Sequence, residues 1–494
     1  MSEVDGKAET TAETAAATVM EQAGEVGGTA ETVAAMSVTE QAGEADGTAE
    51  TVTEQAGEAD GTAETVTEQA KRLPLAGSYD AIVCGGGPAG VAATLAAART
   101  GARVLLIELH GCLGGVWTAG ALSWIIDAGN KPGLMRELTL RMNRQRVSRG
   151  GASGADSFAY DPERMKRLLE AMCLEAGVDI LLHARVCGAL KDERGRLTHV
   201  FVESKSGRQA YAAAAFVDAT GDGDLAAQAG CAFESGRPDN GETQPMSLMA
   251  LLAGITFDAA GRFCMNNGIA EDGRKLLLAE LERVGVRPSY AAPTLIHIRE
   301  GLFALMANHE YGVPATDAAA ITKATLRARA EVHAMVDALR AAGGVWAGLA
   351  LVATAGQIGV REGRRIRGRY RVDVNDVATG ARHPDAVARV TFWTDIHATN
   401  PARGQAYGDD GVRSQPYDIP LRALIAADAD GLLLAGRCIS GDFFAHASYR
   451  VTGNAVALGE AAGVTAALSA KSGALPQDVP WELVRQQLER LREE

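Results

Sequence analysis

The side chains best suited to acid–base or anion chemistry fall into three groups. His446 and Arg450 stand four residues apart in H-A-S-Y-R. They pair an imidazole that exchanges a proton near neutrality with a guanidinium that can orient an anion. Either they act on a substrate, His446 as acid/base and Arg450 as anchor, or His446 is a satisfied structural histidine and Arg450 pairs with a carboxylate. Asp395 and His397, in F-W-T-D-I-H-A-T-N, fall on one side of a strand. Between Arg361 and Arg371 there are six arginines, and an extended strand would put Arg365, Arg367, Arg369 and Arg371 on one face. Such a row needs anionic company. Acids on a solvated face would supply it, or Arg361 or Arg365 holds an anionic substrate. Only Tyr370 interleaves with the row, which is thin support for an RNA-binding face. The seven cysteines are scattered without a C-x-x-C, so no metal site is expected and free thiols in a reducing compartment are.

These groups need a scaffold, and its clearest trace is Tyr79 to Glu108. Ala81 to Cys84 is a short apolar run, then come glycines, an Ala-rich stretch opened by Pro88, and a second apolar run, Val104 to Ile107, closed by Glu108. The order predicts strand, tight turn, helix, strand. Gly85, Gly87 and Gly90 fit G-x-G-x-x-G: one for the turn, one for backbone approach to a pyrophosphate, one for helix–strand packing. Pro88 suits the first helical turn, and the N–H groups from Ala89 onward face the phosphates. Glu108 is placed to accept from both ribose hydroxyls, which argues against a 2′-phosphate. Gly114 and Gly115 follow at once, in L-G-G-V-W-T-A-G. They read either as an ordinary glycine loop or as backbone lying against something flat, such as a flavin.

The 494 residues are 47% hydrophobic, enough for two or three domains. The net charge of -14 is local: residues 1–70 hold 13 Glu and 3 Asp against one Lys, so the rest is near neutral and global charge says nothing about nucleic acid. Residues 39–52 recur unchanged at 53–66, and 1–72 reads as an acidic, disordered low-complexity tail. The start lacks a signal peptide, and a cytoplasmic location is expected. Gly343 to Val360 is uncharged but glycine-rich, so buried strand is expected there rather than a membrane span. Asp161 to Ala176 and Ala318 to Ala341 read as helices. Ala214 to Asp224 reads as a strand that delivers Thr220, Gly221 and Asp222 to the same cofactor. Near the far end, D-G-L-L-L-A-G-R is a buried strand ending in Gly436 and Arg437. It leads to a helix opened by Gly453 and Asn454, whose N-terminus can face the N1–C2=O edge of an isoalloxazine and stabilise negative charge as the ring is reduced.

With both ends read, the chain resembles the FAD-dependent oxidoreductases of the glutathione-reductase-like flavoproteins, a group related to the flavin domain of heterodisulfide reductase. The matching pieces are G-G-G-P-A-G, L-G-G-V-W-T-A-G, D-A-T-G-D, R-E-G-R-R-I-R-G, Y-D-I-P-L-R-A-L and L-L-L-A-G-R-C-I-S with A-H-A-S-Y-R and G-E-A-A-G. The resemblance implies non-covalent FAD lined by Gly85, Gly87, Gly90, Glu108, Gly114, Gly115, Gly221, Asp222, Gly436, Arg437 and Asp442, with Val186 at the adenine. No cysteine cluster is present, so an iron–sulfur centre is not carried over. The His446/Arg450 pair resembles that of fumarate reductase-like flavoproteins. The expected fold class is α/β: a doubly wound, Rossmann-like FAD domain of glutathione-reductase type, built discontinuously from 78–235 and 415–470. An α+β substrate or cap domain is inserted at 236–414, and 480–494 forms a packing helix. The expected activity is hydride transfer between a small polar or anionic metabolite and FAD, with an unidentified electron acceptor, no nucleic acid and no membrane span. A biosynthetic, non-redox flavoprotein and a flavin-dependent RNA-modifying or RNA-binding protein are the alternatives.

Overall fold

In the computed structural model, Ala81–Cys84 lies buried between two parallel neighbours, Val104–Ile107 and Ala215–Asp218. That is why these runs are continuously apolar rather than alternating. The structure describes residues 68, 70–142, 157–266, 272–403 and 406–493, so the acidic repeats lie outside the described residues.

The main sheet is built from β1 (Leu75–Cys84), β2 (Val104–Ile107), β3 (Asp179–Leu181), β4 (Arg185–Lys191), β5 (Leu197–Ser204) and β6 (Gly207–Asp218), with Leu432–Leu434 returning from far along the chain. The order β3-β2-β1-β6 is parallel throughout. At 12 residues β6 is long enough for two further partners: its first half pairs antiparallel with β5, and Phe216–Asp218 pairs in parallel with Leu432–Leu434. A Rossmann-like parallel sheet thus carries an antiparallel meander, β4-β5-β6, on one side. Helix α1 (Pro88–Arg99) joins β1 to β2, and α2 (Pro162–Glu175), capped by the Asp161 carboxylate on the Glu163 N–H, buries Met165, Leu169, Met172 and Cys173.

A second, antiparallel sheet comprises β7 (Ala250–Ala253), β8 (Thr294–Arg299), β9 (Leu302–Met306) and β10 (Ala350–Thr354), in the order β8-β9-β7-β10. Helix α3 (Ala318–Ala342) packs on it through Val332, Met335, Val336 and Leu339 around Phe303 and Trp346. The uncharged run was expected as buried strand, but β10 is an edge, with Val352 56% exposed. No described helix is long and apolar enough to cross a membrane. The arginine row forms strand only at Arg365–Ile366, paired with Phe233–Glu234.

Past Leu432–Leu434, which we label β11, the chain makes a 3-10 turn at Gly436–Cys438, then α4 (Phe443–Tyr449) and α5 (Thr452–Ser472). A Cβ on Gly459 or Gly463 would stand 2.1 or 2.0 Å from the Ala89 or Ala93 carbonyl oxygen. The two glycines therefore let α5 lie backbone-to-backbone on α1, locking the end of the chain onto its first helix. The last helix, α6 (Trp481–Glu493), buries Val484 and Leu488.

Candidate active site

An open cleft of about 1220 Å³, counted out to solvent, runs past the C-terminal ends of β1, β2, β6 and β11, where parallel sheets place ligands. Glu108 follows β2 directly. Its Oε2 accepts from the Gly86 N–H at 2.5 Å and its Oε1 from the His110 N–H at 2.7 Å. An ionised carboxylate has about four lone-pair sites, so acceptor capacity remains for two hydroxyls. Val186, beside Ala184 and Arg185, lines the same end.

The three glycines of the first turn do different work. Gly85 adopts φ +99°, and a Cβ on Gly90 would stand 1.7 Å from the Gly85 carbonyl oxygen, so Gly90 serves packing alone. A Cβ on Gly87 would meet nothing within 4 Å. Gly87 therefore faces the cleft, and as N-cap of α1 it makes no side-chain cap bond; Pro88 has no N–H and the Val91 N–H already donates to the Gly87 carbonyl at 2.9 Å, so the Ala89 and Gly90 N–H groups are the ones left for an anion. Gly115 lines the cleft, whereas Gly114, at φ +110°, turns the chain against Thr118 and Leu169.

From β6, Asp218 is buried and organises the next loop: its Oδ1 accepts from the N–H and hydroxyl of Thr220, its Oδ2 from the Ala226 N–H. Burial pushes its carboxyl up to about 6. Thr220, Gly221 and Asp222 line the cleft, and Asp222 pairs with Arg437 at 3.0 Å. Arg364 of the arginine row steadies this loop by donating to the Asp222 carbonyl at 2.8 Å. Gly436 and Arg437 thus reach the loop from the far end of the chain. Among the described residues, buried atoms Arg437 Nη1, Arg450 Nε and Gln357 Oε1 have no hydrogen-bond partner, and all three residues line the cleft. A site with unmet polar groups, a glycine opening and a bare helix N-terminus fits a large, polar, anionic ligand.

Several expected lining residues lie elsewhere. Asp442 caps α4, accepting from Ala445 and Val374 N–H groups. Gly453 is needed because a Cβ there would strike the Asp127 carbonyl oxygen at 2.2 Å. Asn454 is fully buried and its amide has no partner among the described residues, outside the cleft lining; Thr452 and Ala455 supply the lining at this helix start.

A second part of the lining, Gln357–Val360 with Arg450, opens onto a buried polar cluster. Arg450 Nη2 contacts Asp395 Oδ2 at 3.2 Å and the Asp395 carbonyl at 2.9 Å. Asp395 Oδ2 also meets His397 Nε2 at 3.4 Å, and His397 Nδ1 meets His309 Nε2 at 3.1 Å. Arg361 is anchored on the Pro245 carbonyl at 2.6 Å and Ser247 Oγ at 2.9 Å. Burial, then Arg450, lowers Arg361 to about 10. Burial alone would raise Asp395, but His397, Arg450 and Arg361 overcome it and hold the carboxyl down to about 2. Burial and Arg361 push His397 down to about 4.

The arginine row and His446 fare differently. Arg365 is consumed by buried structure, pairing with Glu362 and donating to the Gly441 and Gly236 carbonyls, so it holds no ligand. Arg367, Arg369 and Arg371 meet Asp428, Asp430 and Glu234 at the surface. His446 is fully buried in α4, outside the cleft lining, with both ring nitrogens unpartnered among the described residues. Burial, then Arg365, Arg450 and Arg437, lowers its proton affinity well below the ordinary histidine value. Sequence reasoning does not single out His309, nor Gln244, whose Oε1 accepts from Arg450 Nη2 at 3.3 Å and from the His397 N–H at 3.1 Å, nor Tyr290 and Tyr311, whose rings lie against His309; none of them belongs to a motif. The polar run N-H-E-Y straight after the apolar strand β9 is the one local signal for two of them. No group of three or more His, Cys, Asp or Glu placed to hold a metal is found among the described residues.

A parallel sheet with a glycine turn, an acid after the second strand and a cleft across their ends defines a nucleotide-binding α/β enzyme. The chain belongs to the FAD dependent oxidoreductase family, whose family model matches residues 80–488. FAD is accordingly its cofactor and oxidoreduction its class of activity. None of the curated proteins matches it in sequence. Among solved structures, it is similar to a geranylgeranyl bacteriochlorophyll reductase-like protein from Thermoplasma acidophilum at 13% identity, covering 84% of this chain and 83% of that one (TM-score 0.42). A myxobacterial chondrochloren halogenase is 15% identical over 84% and 79% (TM-score 0.44). A p-nitrophenol 4-monooxygenase from Pseudomonas putida is 10% identical over 85% and 90% (TM-score 0.39).

Proposed function

We propose that this enzyme transfers a hydride between a small polar or anionic metabolite and non-covalently held FAD. The observation that carries the reading is charge: the buried cluster holds Arg361 and Arg450 against the single carboxylate of Asp395, with both histidines neutral. A buried net positive charge next to a cofactor cleft calls for an anion. Glu108 and Val186 hold the adenosine, the Gly87 turn with Arg437 the diphosphate, and Gln357–Val360 the wall near the reacting end. FAD supplies the hydride acceptor or donor when bound.

Arg361 and Arg450 anchor the metabolite, and Asp395 with His397 exchanges its proton. A bound anion offsets the two guanidinium charges, so His397 regains proton affinity and moves toward the range where acid–base catalysis is efficient. His446, the other candidate, is fully buried, does not line the cleft and has no hydrogen-bonded neighbour among the described residues to pass a proton to, so we give the proton step to Asp395 and His397. The finer architecture, a glutathione-reductase-type flavin domain from 78–235 and 415–470 with a cap at 236–414, is part of the same proposal. The meander β4-β5-β6 and the return of β11 to the sheet support it. A cytoplasmic location completes the reading. The RNA alternative loses its basis in the arginine row, whose exposed members each meet an acid.

The test is anaerobic bleaching of the flavin band across a panel of small metabolites. Carboxylates are expected to reduce the enzyme, and Arg450→Ala to raise the concentration needed at least about tenfold, one lost charge-assisted hydrogen bond being ~1.5 kcal/mol or more. Reduction by neutral compounds alone, unaffected by that substitution, would sink the reading.

A further inference from the structure

The arginines that support this cleft elsewhere are each paired with an acid: Arg365 with Glu362, Arg437 with Asp222 and Arg364 with Asp224. Arg361 and Arg450 have one acid between them, Asp395, which Arg450 contacts. Otherwise they are met by uncharged groups from one short run, residues 244–247. Gln244 Oε1 accepts from Arg450 Nη2 at 3.3 Å, and the Pro245 carbonyl and Ser247 Oγ accept from Arg361 Nη1 at 2.6 and 2.9 Å. The Ser247 hydroxyl gives its own proton to the Asn308 carbonyl at 2.6 Å, which turns its lone pairs to Arg361. We propose that Gln244 determines the charge specificity of the site: its uncharged amide stands where a carboxylate would fit, and so leaves one positive charge for the carboxylate of a substrate. The inference rests on the function proposed above and narrows its anion to one bearing a single negative charge.

Hydrogen bonding shows why a carboxylate would fit. Both partners of Gln244 Oε1 are donors, Arg450 Nη2 and, at 3.1 Å, the His397 N–H. The amide therefore cannot flip: its oxygen must lie on this side and its NH2 on the other. Gln244 is 2% exposed, yet among the described residues its Nε2 has no hydrogen-bond partner, and neither has Arg450 Nε. Unmet buried donors are destabilising. Glutamate has the same shape, would accept the same two bonds, and would replace one of the unmet donors by an acceptor. Hydrogen bonding alone thus favours the acid over the amide that is present.

What the acid would change is the charge. Two guanidiniums, Arg361 and Arg450, stand against the one carboxylate of Asp395, which leaves one positive charge. Glu362 does not alter this sum: it accepts from the Gln244 N–H at 3.0 Å but is already paired with Arg365. A carboxylate at position 244 would cancel the remaining charge, and nothing would then draw an anion into the site. Burial would oppose such a carboxylate, as it does Asp395, where His397, Arg450 and Arg361 overcome it. The same neighbours lie against Gln244, so a second acid is tolerable there and its absence is a matter of the ligand.

The experiment is binding of acetate to the FAD-loaded full chain, with acetamide as the uncharged control, read from the flavin absorption band and from the ring-nitrogen resonances of His397. The wild type is expected to bind acetate at least about tenfold more tightly than acetamide, because only acetate meets the unpaired charge. Gln244→Glu is expected to fold, to weaken acetate at least about tenfold and to leave acetamide within about threefold. Gln244→Met, uncharged but unable to bridge, is expected to keep acetate within about threefold of wild type. The groups facing His397 are Arg361, Arg450, Asp395, His309 and the rings of Tyr290 and Tyr407. An acid added among them is expected to raise the pH at which His397 titrates, and methionine to leave it unchanged. Acetate and acetamide bound alike by the wild type, acetate bound as before by Gln244→Glu, His397 unmoved by that substitution, or a Gln244→Glu chain that does not fold each overturns the proposal. So does a loss in Gln244→Met as large as in Gln244→Glu, which would make the bridge the cause and not the charge. Binding needs no turnover: a metabolite panel that never bleaches the flavin would overturn the hydride transfer proposed above and leave the acetate result as it is, so the two failures are distinguishable.

Discussion

The two halves of this site are built from opposite materials. The cradle at Gly85–Gly90, Gly115 and Thr220–Asp222 is backbone, helix terminus and missing side chains, most of it within one strand-turn-helix. The cluster at Arg361, Asp395, His397, His309 and Arg450 is side chain, gathered from β9's exit, the arginine row, a loop and the end of α4. One fails when an atom is added, the other when a charge is removed. Substitutions should therefore separate them cleanly.

The largest effect belongs to the cradle's packing. Gly90→Val would drive a Cβ into the Gly85 carbonyl at 1.7 Å, a backbone atom that the β1–α1 crossing holds in place. A loss above ~4 kcal/mol is expected, one of the exceptional values reserved for such clashes, and the readout is soluble yield and thermal midpoint. Arg450→Ala comes next, because it takes one cation from a carboxylate that is largely buried with it, the two side chains being 11% and 15% exposed. Removing one partner of a buried pair costs about 3 kcal/mol or more, read by denaturant unfolding, while the protein should still bind FAD. Gly87→Ala then marks the contrast inside a single motif. Its Cβ meets nothing in the free protein, so the thermal midpoint without FAD should not move. The same atom occupies space the diphosphate needs, and ~1–3 kcal/mol of overpacking weakens FAD binding roughly 10- to 100-fold in a fluorescence titration. If Gly87→Ala unfolds the protein, or binds FAD as before, Gly87 does not face the ligand.

This contrast also explains what was legible in the sequence. The cradle could be read because its parts are contiguous and each glycine has a local reason: strand β1, the turn, α1, β2 and Glu108 appeared in the expected order, as did Val186 and the Thr220 loop. The helices around Met165–Cys173 and Val484–Leu488 followed from their apolar spacing. The cluster was only half legible. Asp395 with His397, Arg450 beside His446 and Arg361 at the head of the arginine row each drew attention in a separate group, but nothing along the chain says that the groups meet, and His309 carries no spacing signal at all. For Arg365 and His446, residue type alone cannot distinguish a guanidinium already spent on Glu362 and two carbonyls, or a fully buried imidazole, from groups free to act. Asp442 is found as the cap of α4, a placement that a carboxylate near a glycine turn does not announce in the sequence.

The last effect is a slope rather than a level, and it has opposite sign in the two halves. His397 is depressed to about 4 by burial and Arg361, against about 6.5 in the unfolded chain. Between those values the unfolded state binds a proton that the folded state refuses. Stability therefore falls as pH drops from about 6.5 to about 4, by ~1.4 kcal/mol per pH unit for this one group. Asp218 in the cradle is raised to about 6 by burial, against about 3.9 unfolded. There the folded state binds the extra proton, so its contribution is fully present below about 3.9 and is lost as pH rises through about 6. Across pH 4 to 6 the two nearly oppose each other. His397→Gln should flatten the acid limb of a stability–pH curve, and Asp218→Asn should steepen it, whatever each substitution does to the overall level. Denaturant midpoints at half-unit pH steps would read both slopes. A His397→Gln variant that leaves the acid limb unchanged or steepens it would mean that the cluster's histidine is not held neutral by its neighbouring cations, and the charge argument for an anionic metabolite would fall with it.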